Sequence, residues 1–174
     1  RSHGITREQN RLSRNLGPWY YEQIFLGYNY RITDLQSSLG ISQLRKLEYF
    51  KSKRREIVNK YNDAFDSIEY VKIPQENKKC DSNFHLYVVQ FDNNLLKMNR
   101  NEIKEKLAKN NIQTQIHYIP IHTQPYYRLN MNTNFGDCPN AEKYFESCLS
   151  LPLYPEMNNF DVEKVIMNIK GDIQ

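Results

Sequence analysis

The sequence predicts an α+β fold in which helices cover one side of a small, mainly antiparallel sheet. Three observations favour this class. Helical and strand patterns are mixed along the chain without regular β–α–β crossovers. The strand patterns are short and rich in aromatic and β-branched residues. One helical pattern, from Asp34 to about Phe65, is much longer than the others.

The long helical pattern starts at a capping signal. Thr33 can accept a hydrogen bond from the backbone of Gln36, whose side chain can reach back, which is a capping box. Apolar residues then recur at three- and four-residue steps and form one stripe that ends at Phe65. A continuous helix here would be roughly 48 Å long, which suits a connector between two bodies. Gly40 within it predicts a close contact or a break.

Shorter elements follow the long helix. Alternating or β-branched segments predict strands, and capped apolar periodicity predicts helices. Strands are predicted over residues 68–73, 84–91 and 112–118, and helices from the Asn99 cap to about Lys109, from Pro139 to Leu149 and from Asp161 to Lys170.

Composition excludes several classes of protein. The 24 basic and 20 acidic residues give a net charge of +4, and much of the excess lies between residues 45 and 55. No nucleic-acid motif accompanies this basic run, so a solvated helix face is predicted and no nucleic-acid partner is expected.

No apolar run approaches the roughly 20 residues of a membrane span. Cys80, Cys138 and Cys148 form no C-x-x-C pair, which favours reduced thiols and a cytoplasmic protein.

Three histidines raise the question of a metal site. The imidazoles of His85, His117 and His122 could bind zinc. However, Pro120 bends the chain between two of them, and no carboxylate or thiolate completes a known spacing, so no metal is expected. His85 is either a histidine at the edge of the core, bonded to backbone, or a contact to substrate.

The segment Gly27–Gln36 combines aromatic rings with hydrogen-bond donors. The Asn29 amide and the Arg31 guanidinium are both suited to holding anionic oxygens. The alternative is a tyrosine-rich turn whose rings pack and whose polar groups cap the following helix. Residue chemistry alone leaves both interpretations open.

These residues also carry a family resemblance. The segment Gly27–Gln36, followed by Gly40-Ile41-Ser42-Gln43-Leu44, resembles the signature of the DegT/StrS family of sugar aminotransferases. These are pyridoxal-phosphate enzymes that act on nucleotide-linked keto-sugars. Further segments match in the family's order and cover nearly the whole chain: Arg1-Ser2-His3-Gly4, His85-Leu86-Tyr87, residues 117–122, 124–127 and 141–144, and residues 149–155.

The resemblance implies a domain organisation. The chain is similar to the C-terminal half of a fold-type I aminotransferase, with residues 1–33 as the end of the large domain and an interface segment. Residues 34–66 would be the connecting helix and residues 67–174 the small α+β domain. The family's Schiff-base lysine precedes the Arg-Ser-His-Gly motif, which implies that this chain holds no catalytic lysine and is inactive alone.

The resemblance also implies roles for individual residues. Asn29 would donate to the phosphate of pyridoxal phosphate in the partner subunit of a homodimer with shared active sites. Arg31, His117, Tyr118 and Tyr126 would contact the sugar-nucleotide. Within the family, the chain is most similar to enzymes of pseudaminic acid-type pathways. These aminate C4 of a UDP-linked deoxy-keto-sugar with glutamate as donor.

A different class of function remains open. The small domain could fold alone and serve as a sugar-nucleotide-binding or protein-interaction module. A lysine motif encoded upstream of Arg1 would favour the enzyme, whereas a start codon close to Arg1 would favour the module.

Overall fold

The computed structural model describes residues 2–172. Arg1, the first residue of the Arg-Ser-His-Gly motif, therefore lies outside the described residues. The chain divides into two compact units, Arg1–Leu47 and Glu48–Gln174. The predicted domain boundaries at residues 33 and 66 stay predictions.

None of the helices within residues 2–172 is both long enough and apolar enough to cross a membrane.

The first unit contains a short hairpin. β1 (Ile5–Thr6) pairs antiparallel with β2 (Glu22–Gln23). Gly4, next to β1, has φ +72°, and a Cβ at this position would lie 1.8 Å from the carbonyl oxygen of Phe25. Glycine is therefore required here, both for its backbone conformation and for the close approach of the two chain segments.

The predicted capping box is confirmed at the start of α1 (Asp34–Leu44). The backbone N–H of Gln36 donates to Thr33 Oγ1 at 3.3 Å, and the backbone N–H of Thr33 donates to Gln36 Oε1 at 2.9 Å. These two bonds satisfy donors that a helix start otherwise leaves without partners. Local sequence alone was sufficient to place this helix start.

The predicted single long helix is wrong, because two helices occupy its span. α1 is followed by a turn at Arg45 and Lys46, and α2 (Leu47–Phe65) begins directly after it. The N–H of Lys46 bonds to the carbonyl of Gln43 at 3.0 Å, a tightened turn that ends α1. Gly40 lies inside α1 with no atom within 4 Å of a Cβ built there. It marks neither the break nor a close contact.

A three-stranded antiparallel sheet lies at the centre of the second unit, in the order β3-β4-β5. β3 (Val71–Lys72) pairs with β4 (Tyr87–Phe91), which pairs with β5 (Cys148–Leu151). The strands predicted over residues 68–73 and 84–91 are present in shortened form. Along β4 the side chains alternate between buried and half-buried, so one face of the sheet meets the core.

Two predictions around β5 are wrong. Residues 148–149 were assigned to the end of a helix, but they form the start of β5. Residues 112–118 were predicted to form a strand, but only Gln115 pairs, through both backbone bonds to Ser150 at 3.2 and 2.7 Å. The alternating burial behind that prediction is real, since Ile112 and Thr114 are buried while Gln113 and Gln115 are exposed.

Helices cover the buried face of this sheet. The remaining helices are α3 (Asn93–Leu96), α4 (Arg100–Lys109), α5 (Pro125–Met131), α6 (Pro139–Ser147) and α7 (Asn159–Met167), with 3-10 turns at Gln9–Arg11 and Ile121–Thr123 and a π-helical end at Asn168–Asp172. The predicted Asn99 cap is present at the start of α4, where Glu102, three residues later, completes a capping box. The α+β class is confirmed.

One hydrophobic core joins α2, α4 and α7 to the sheet. Its largest fully buried side chains include Tyr61, Phe65, Tyr87 and Phe91. The buried tyrosines keep their hydroxyl groups bonded: Tyr61 donates to Pro152 O at 3.0 Å and Tyr87 to Asn62 Oδ1 at 2.8 Å. Since an unbonded buried hydroxyl is costly, these bonds fix how α2 lies on the sheet.

Three basic residues on α2, Lys51, Lys53 and Arg55, form ion pairs within the second unit. Arg55 Nη2 lies 2.8 Å from Glu76 Oε1 and 2.7 Å from Asp81 Oδ1, and Lys51 also pairs with Asp81. The Arg55 guanidinium additionally stacks over the Phe84 ring at 5.2 Å. These contacts connect α2 to the polar loop before β4.

Candidate active site

The first group of candidate site residues lies just before α1, in the first unit. Asn29 forms an isolated antiparallel bridge with Ser2, which holds the segment against the N-terminal strand. Gly27 permits this approach, because a Cβ there would lie 2.4 Å from the backbone nitrogen of Gly4. The backbone that carries Asn29 and Arg31 is thus fixed by packing that only glycine allows.

The side-chain donors of Asn29 and Arg31 are free among the residues that the structure describes. Asn29 Oδ1 accepts from the backbone N–H of Arg31 at 3.3 Å, which orients the amide. Within residues 2–172, neither the Asn29 amide nitrogen nor the Arg31 guanidinium has a hydrogen-bond or ion-pair partner, and both side chains are exposed. The helix cap uses Thr33 and Gln36 instead. The cap therefore leaves the donors of Asn29 and Arg31 unused among the described residues, and anion binding by them stays a prediction.

Two tyrosines flank these donors. The rings of Tyr28 and Tyr30 stack with their centroids 5.5 Å apart, and both are more than two-thirds exposed. A ring with a polar tip suits a surface that is partly covered by a ligand or another chain.

The second group of candidate residues lies in the second unit, between α4 and α5. His117 is half-buried, and its Nδ1 lies 2.8 Å from Oγ of Ser150 on β5. Tyr118 contacts the His117 ring edge-on at 4.5 Å between centroids and is 73% exposed. His117 is thus anchored to the sheet on one side, while the neighbouring tyrosine faces outward.

Tyr126 lies in the first turn of α5. Its ring packs edge-on against that of Tyr127 at 5.4 Å and is 64% exposed. Among the described residues, no hydrogen bond or ring contact joins Tyr126 to His117 or Tyr118. The structure brings together the first two of these three candidates and not the third.

Sequence reasoning missed a pair that holds this region. His122 Nε2 lies 2.7 Å from Glu142 Oε1, which also accepts from the backbone N–H of Gly136 at 2.7 Å. Since an ionised carboxylate only accepts, the imidazole donates. The His122 bond, followed by the Gly136 bond, holds the pKa of the Glu142 carboxyl below its ordinary value. Both residues belong to the segments matched above, but their separation of 20 positions gave no local signal.

Of the two roles left open for His85, the structure does not show the backbone-bonded histidine at the core edge, and contact with substrate stays a prediction. Its side chain is exposed and makes no hydrogen bond with the described residues. Across residues 2–172, no three His, Cys, Asp or Glu side chains come close enough to hold a metal ion. A groove of about 730 Å³ beside β3, β4 and α6 is lined by residues such as Tyr70, Lys72 and Lys143 and includes none of the candidate site residues.

Comparison with known proteins assigns the family. The model of the DegT/DnrJ/EryC1/StrS aminotransferase family matches residues 1–170, so the chain belongs to this family. Among curated proteins, it is 41% identical over 170 residues to the uncharacterized protein MJ1066 of Methanocaldococcus jannaschii, covering 98% of this chain and 44% of that protein. It is 38% identical over 174 residues to the spore coat polysaccharide biosynthesis protein SpsC of Bacillus subtilis, covering 99% and 44%.

Solved structures agree with this assignment. PseC of Helicobacter pylori, an aminotransferase involved in pseudoaminic acid biosynthesis, matches with a TM-score of 0.80 and 27% identity, over 97% of this chain and 43% of PseC. The PLP-form of the putative sugar aminotransferase Spr1654 of Streptococcus pneumoniae matches with a TM-score of 0.80 and 25% identity, over 99% and 41%. The chain thus spans less than half the length of these relatives.

Aminotransferases of this family bind pyridoxal phosphate. The chemistry of Asn29 before α1 fits the phosphate of that cofactor, because its amide N–H₂ can donate, is exposed and has no partner within residues 2–172. Neutral amide donors and a guanidinium are the groups that hold phosphate oxygens in proteins.

Proposed function

We propose that the chain is part of a pyridoxal-phosphate-dependent aminotransferase that transfers an amino group from glutamate to the C4 keto group of a UDP-linked deoxy-sugar. The family assignment and the likeness to PseC support this substrate class. The observation that carries it within this chain is that the Asn29 amide N–H₂ and the Arg31 guanidinium, just before a capped helix, have no partner among residues 2–172.

Each candidate residue has a role in this proposal. Asn29 donates a neutral hydrogen bond to the cofactor phosphate, and in a homodimer with shared sites this is the cofactor of the partner subunit. Arg31 supplies positive charge for the nucleotide diphosphate. His117, Tyr118 and Tyr126 contact the sugar-nucleotide with hydrogen-bond donors and aromatic faces. When bound, pyridoxal phosphate acts as the electron sink for the carbon that carries the amine.

The chain's own lysines are not the cofactor-binding lysine in this proposal. Each of them is at least partly exposed, and several lie on charged helix faces, as Lys53 does beside Glu56. A covalently bound cofactor needs a lysine inside a closed site, where burial lowers its pKa.

The free thiols Cys80, Cys138 and Cys148 support a reducing, cytoplasmic location.

Assay of the full-length protein tests the function. The protein would be incubated with pyridoxal phosphate, L-glutamate and a UDP-linked 4-keto-6-deoxy-sugar, and the amino-sugar product identified by mass spectrometry. Parallel reactions with a 3-keto-sugar nucleotide and with L-aspartate define the acceptor position and the donor. Turnover of the 3-keto acceptor alone would contradict the C4 assignment, and sugar-nucleotide binding without any turnover would favour a binding module.

A further inference from the structure

Ser150 lies within hydrogen-bonding distance of the His117 ring. Ser150 is only 4% exposed and belongs to β5. Both of its backbone groups bond to Gln115, two residues before His117, and this bridge fixes where the following residues pass over the strand. Its Oγ lies 2.8 Å from His117 Nδ1. The backbone pairing of Ser150 with Gln115 therefore places the serine hydroxyl within hydrogen-bonding distance of the imidazole.

Hydrogen-bond accounting decides which partner donates. Within residues 2–172, the Ser150 hydroxyl has His117 Nδ1 as its one hydrogen-bond partner. If Nδ1 carried the proton and donated, the buried hydroxyl hydrogen would have no acceptor, and an unpaired buried donor is unfavourable. If the hydroxyl donates to Nδ1, the buried hydrogen is satisfied. In the neutral ring the proton then resides on Nε2, because each nitrogen of a neutral imidazole takes the opposite role.

The other edge of the ring is available to a ligand. His117 Nε2 has no hydrogen-bond partner within residues 2–172, and the ring is half-buried with Tyr118 at its edge. A ring held in this tautomer presents a single neutral N–H donor in a fixed direction.

We propose that Ser150 is a positioning residue that fixes His117 as an Nε2–H donor to an acceptor oxygen of the bound sugar-nucleotide. The ligand part of this inference rests on the proposed function, whereas the tautomer part does not. Ser150 itself touches no substrate. It selects oxygen acceptors indirectly, since a donor fixed in this way cannot accept a hydrogen bond from a ligand N–H.

Nitrogen-15 histidine NMR on the full-length protein tests the tautomer directly, because protonated and unprotonated ring nitrogens differ in chemical shift. His117 signals are assigned by their loss in His117→Gln. We expect Nδ1 to be unprotonated and Nε2 protonated in the unsubstituted chain. Ser150→Ala should allow both tautomers, while Ser150→Thr, which keeps the hydroxyl, should restore the original pattern.

Thr114→Val is the matched control, because Thr114 is also buried and its Oγ1 has no hydrogen-bond partner in the described part of the chain. It should leave the His117 signals unchanged. A protonated Nδ1 in the unsubstituted chain, or an unchanged tautomer in a folded Ser150→Ala chain, overturns the inference.

Kinetics of the full-length enzyme separate this inference from the proposed function. Ser150→Ala should raise KM for the sugar-nucleotide about tenfold with little change in kcat, as expected for loss of uniform binding. Ser150→Thr should recover most of the affinity. If the NMR result holds while His117→Gln leaves KM unchanged, the substrate contact assigned to His117 is wrong and the positioning by Ser150 stands.

Discussion

The imidazole of His122 donates to the carboxylate of Glu142 across 2.7 Å. Because His122 precedes α5 and Glu142 lies on α6, this bond joins the two ends of the segment that contains α5. Thr133, just after α5, adds a second bond to the same residue, since its hydroxyl donates to the carbonyl of His122 at 2.7 Å. Neither the 3-10 turn at Ile121–Thr123 nor α5 contains a fully buried residue. The segment with Tyr126 is therefore held mainly by polar bonds, and not by a hydrophobic core of its own.

Removing the carboxylate should loosen this segment. We expect Glu142→Ala to increase amide hydrogen exchange in residues 121–138 about tenfold, because a charge-assisted bond and the bond to Gly136 are both lost. Glu146→Ala is the matched control: Glu146 lies on the same helix, is exposed and has no recorded partner within residues 2–172. Equal exchange in the two variants would contradict a role for the His122–Glu142 pair.

The same carboxylate predicts a pH dependence with a definite sign. His122 and Gly136 lower the pKa of Glu142 in the folded chain, so between the lowered and the ordinary value the unfolded chain binds more protons. The stabilisation is complete above the ordinary carboxyl pKa of about 4.3 and is lost as the pH falls through the lowered value. Urea unfolding from pH 7 to pH 3 should show a steeper loss for the unsubstituted chain than for Glu142→Gln. Parallel profiles would refute this linkage.

Local signals explain which parts of the fold the sequence predicts. The two capping boxes, at Thr33 and Asn99, are complete within four residues each, and both are present. The sequence does not predict β5 because the four residues Cys148–Leu151, directly after a helix, are too few to show whether their pattern is helical or extended. The break between α1 and α2 falls at Arg45 and Lys46, where no glycine or proline marks it.

In the candidate site, too, features encoded in a short segment are predictable from the sequence, and contacts between distant residues are not. The position of the Asn29 and Arg31 donors just before a capped helix was predictable, because the donors and the cap lie within a few residues of each other in the sequence. The bonds of His117 to Ser150 and of His122 to Glu142 join residues 33 and 20 positions apart. Such pairs depend on how strands and helices pack, which single-sequence periodicity does not encode.

Labelling of lysines tests the proposal that none of the lysines of this chain is the cofactor-binding lysine. We expect none of the lysines of this chain to form a stoichiometric, site-specific adduct when the chain is incubated with pyridoxal phosphate and reduced with borohydride. The reason is that none is buried, and a solvated, protonated amine is a weak nucleophile. Peptide mapping by mass spectrometry gives the readout. One fully modified lysine, together with turnover of a UDP-keto-sugar by the chain alone, would overturn the prediction.

Asn29 and Arg31 should affect different steps in the full-length enzyme. Asn29→Ala should weaken retention of pyridoxal phosphate by about 1–2 kcal/mol, roughly tenfold in Kd, the range for a hydrogen bond to a charged group. Arg31→Ala should chiefly raise KM for the sugar-nucleotide, because it removes binding shared by ground and transition states. Cofactor titration and steady-state kinetics separate the two effects. Asn10→Ala, an exposed amide in the same unit, is the control and should change neither.

A mixed-subunit experiment tests whether the proposed site is shared across a homodimer. One subunit carries Asn29→Ala and Arg31→Ala with the cofactor-binding lysine intact, and the other lacks that lysine but keeps Asn29 and Arg31. A shared site predicts that mixed dimers regain one working site of two, because the intact lysine then meets the intact donors across the interface. Activity is measured after subunit exchange has been verified by native mass spectrometry. A mixture as inactive as either parent would mean that Asn29 and Arg31 serve the site of their own subunit.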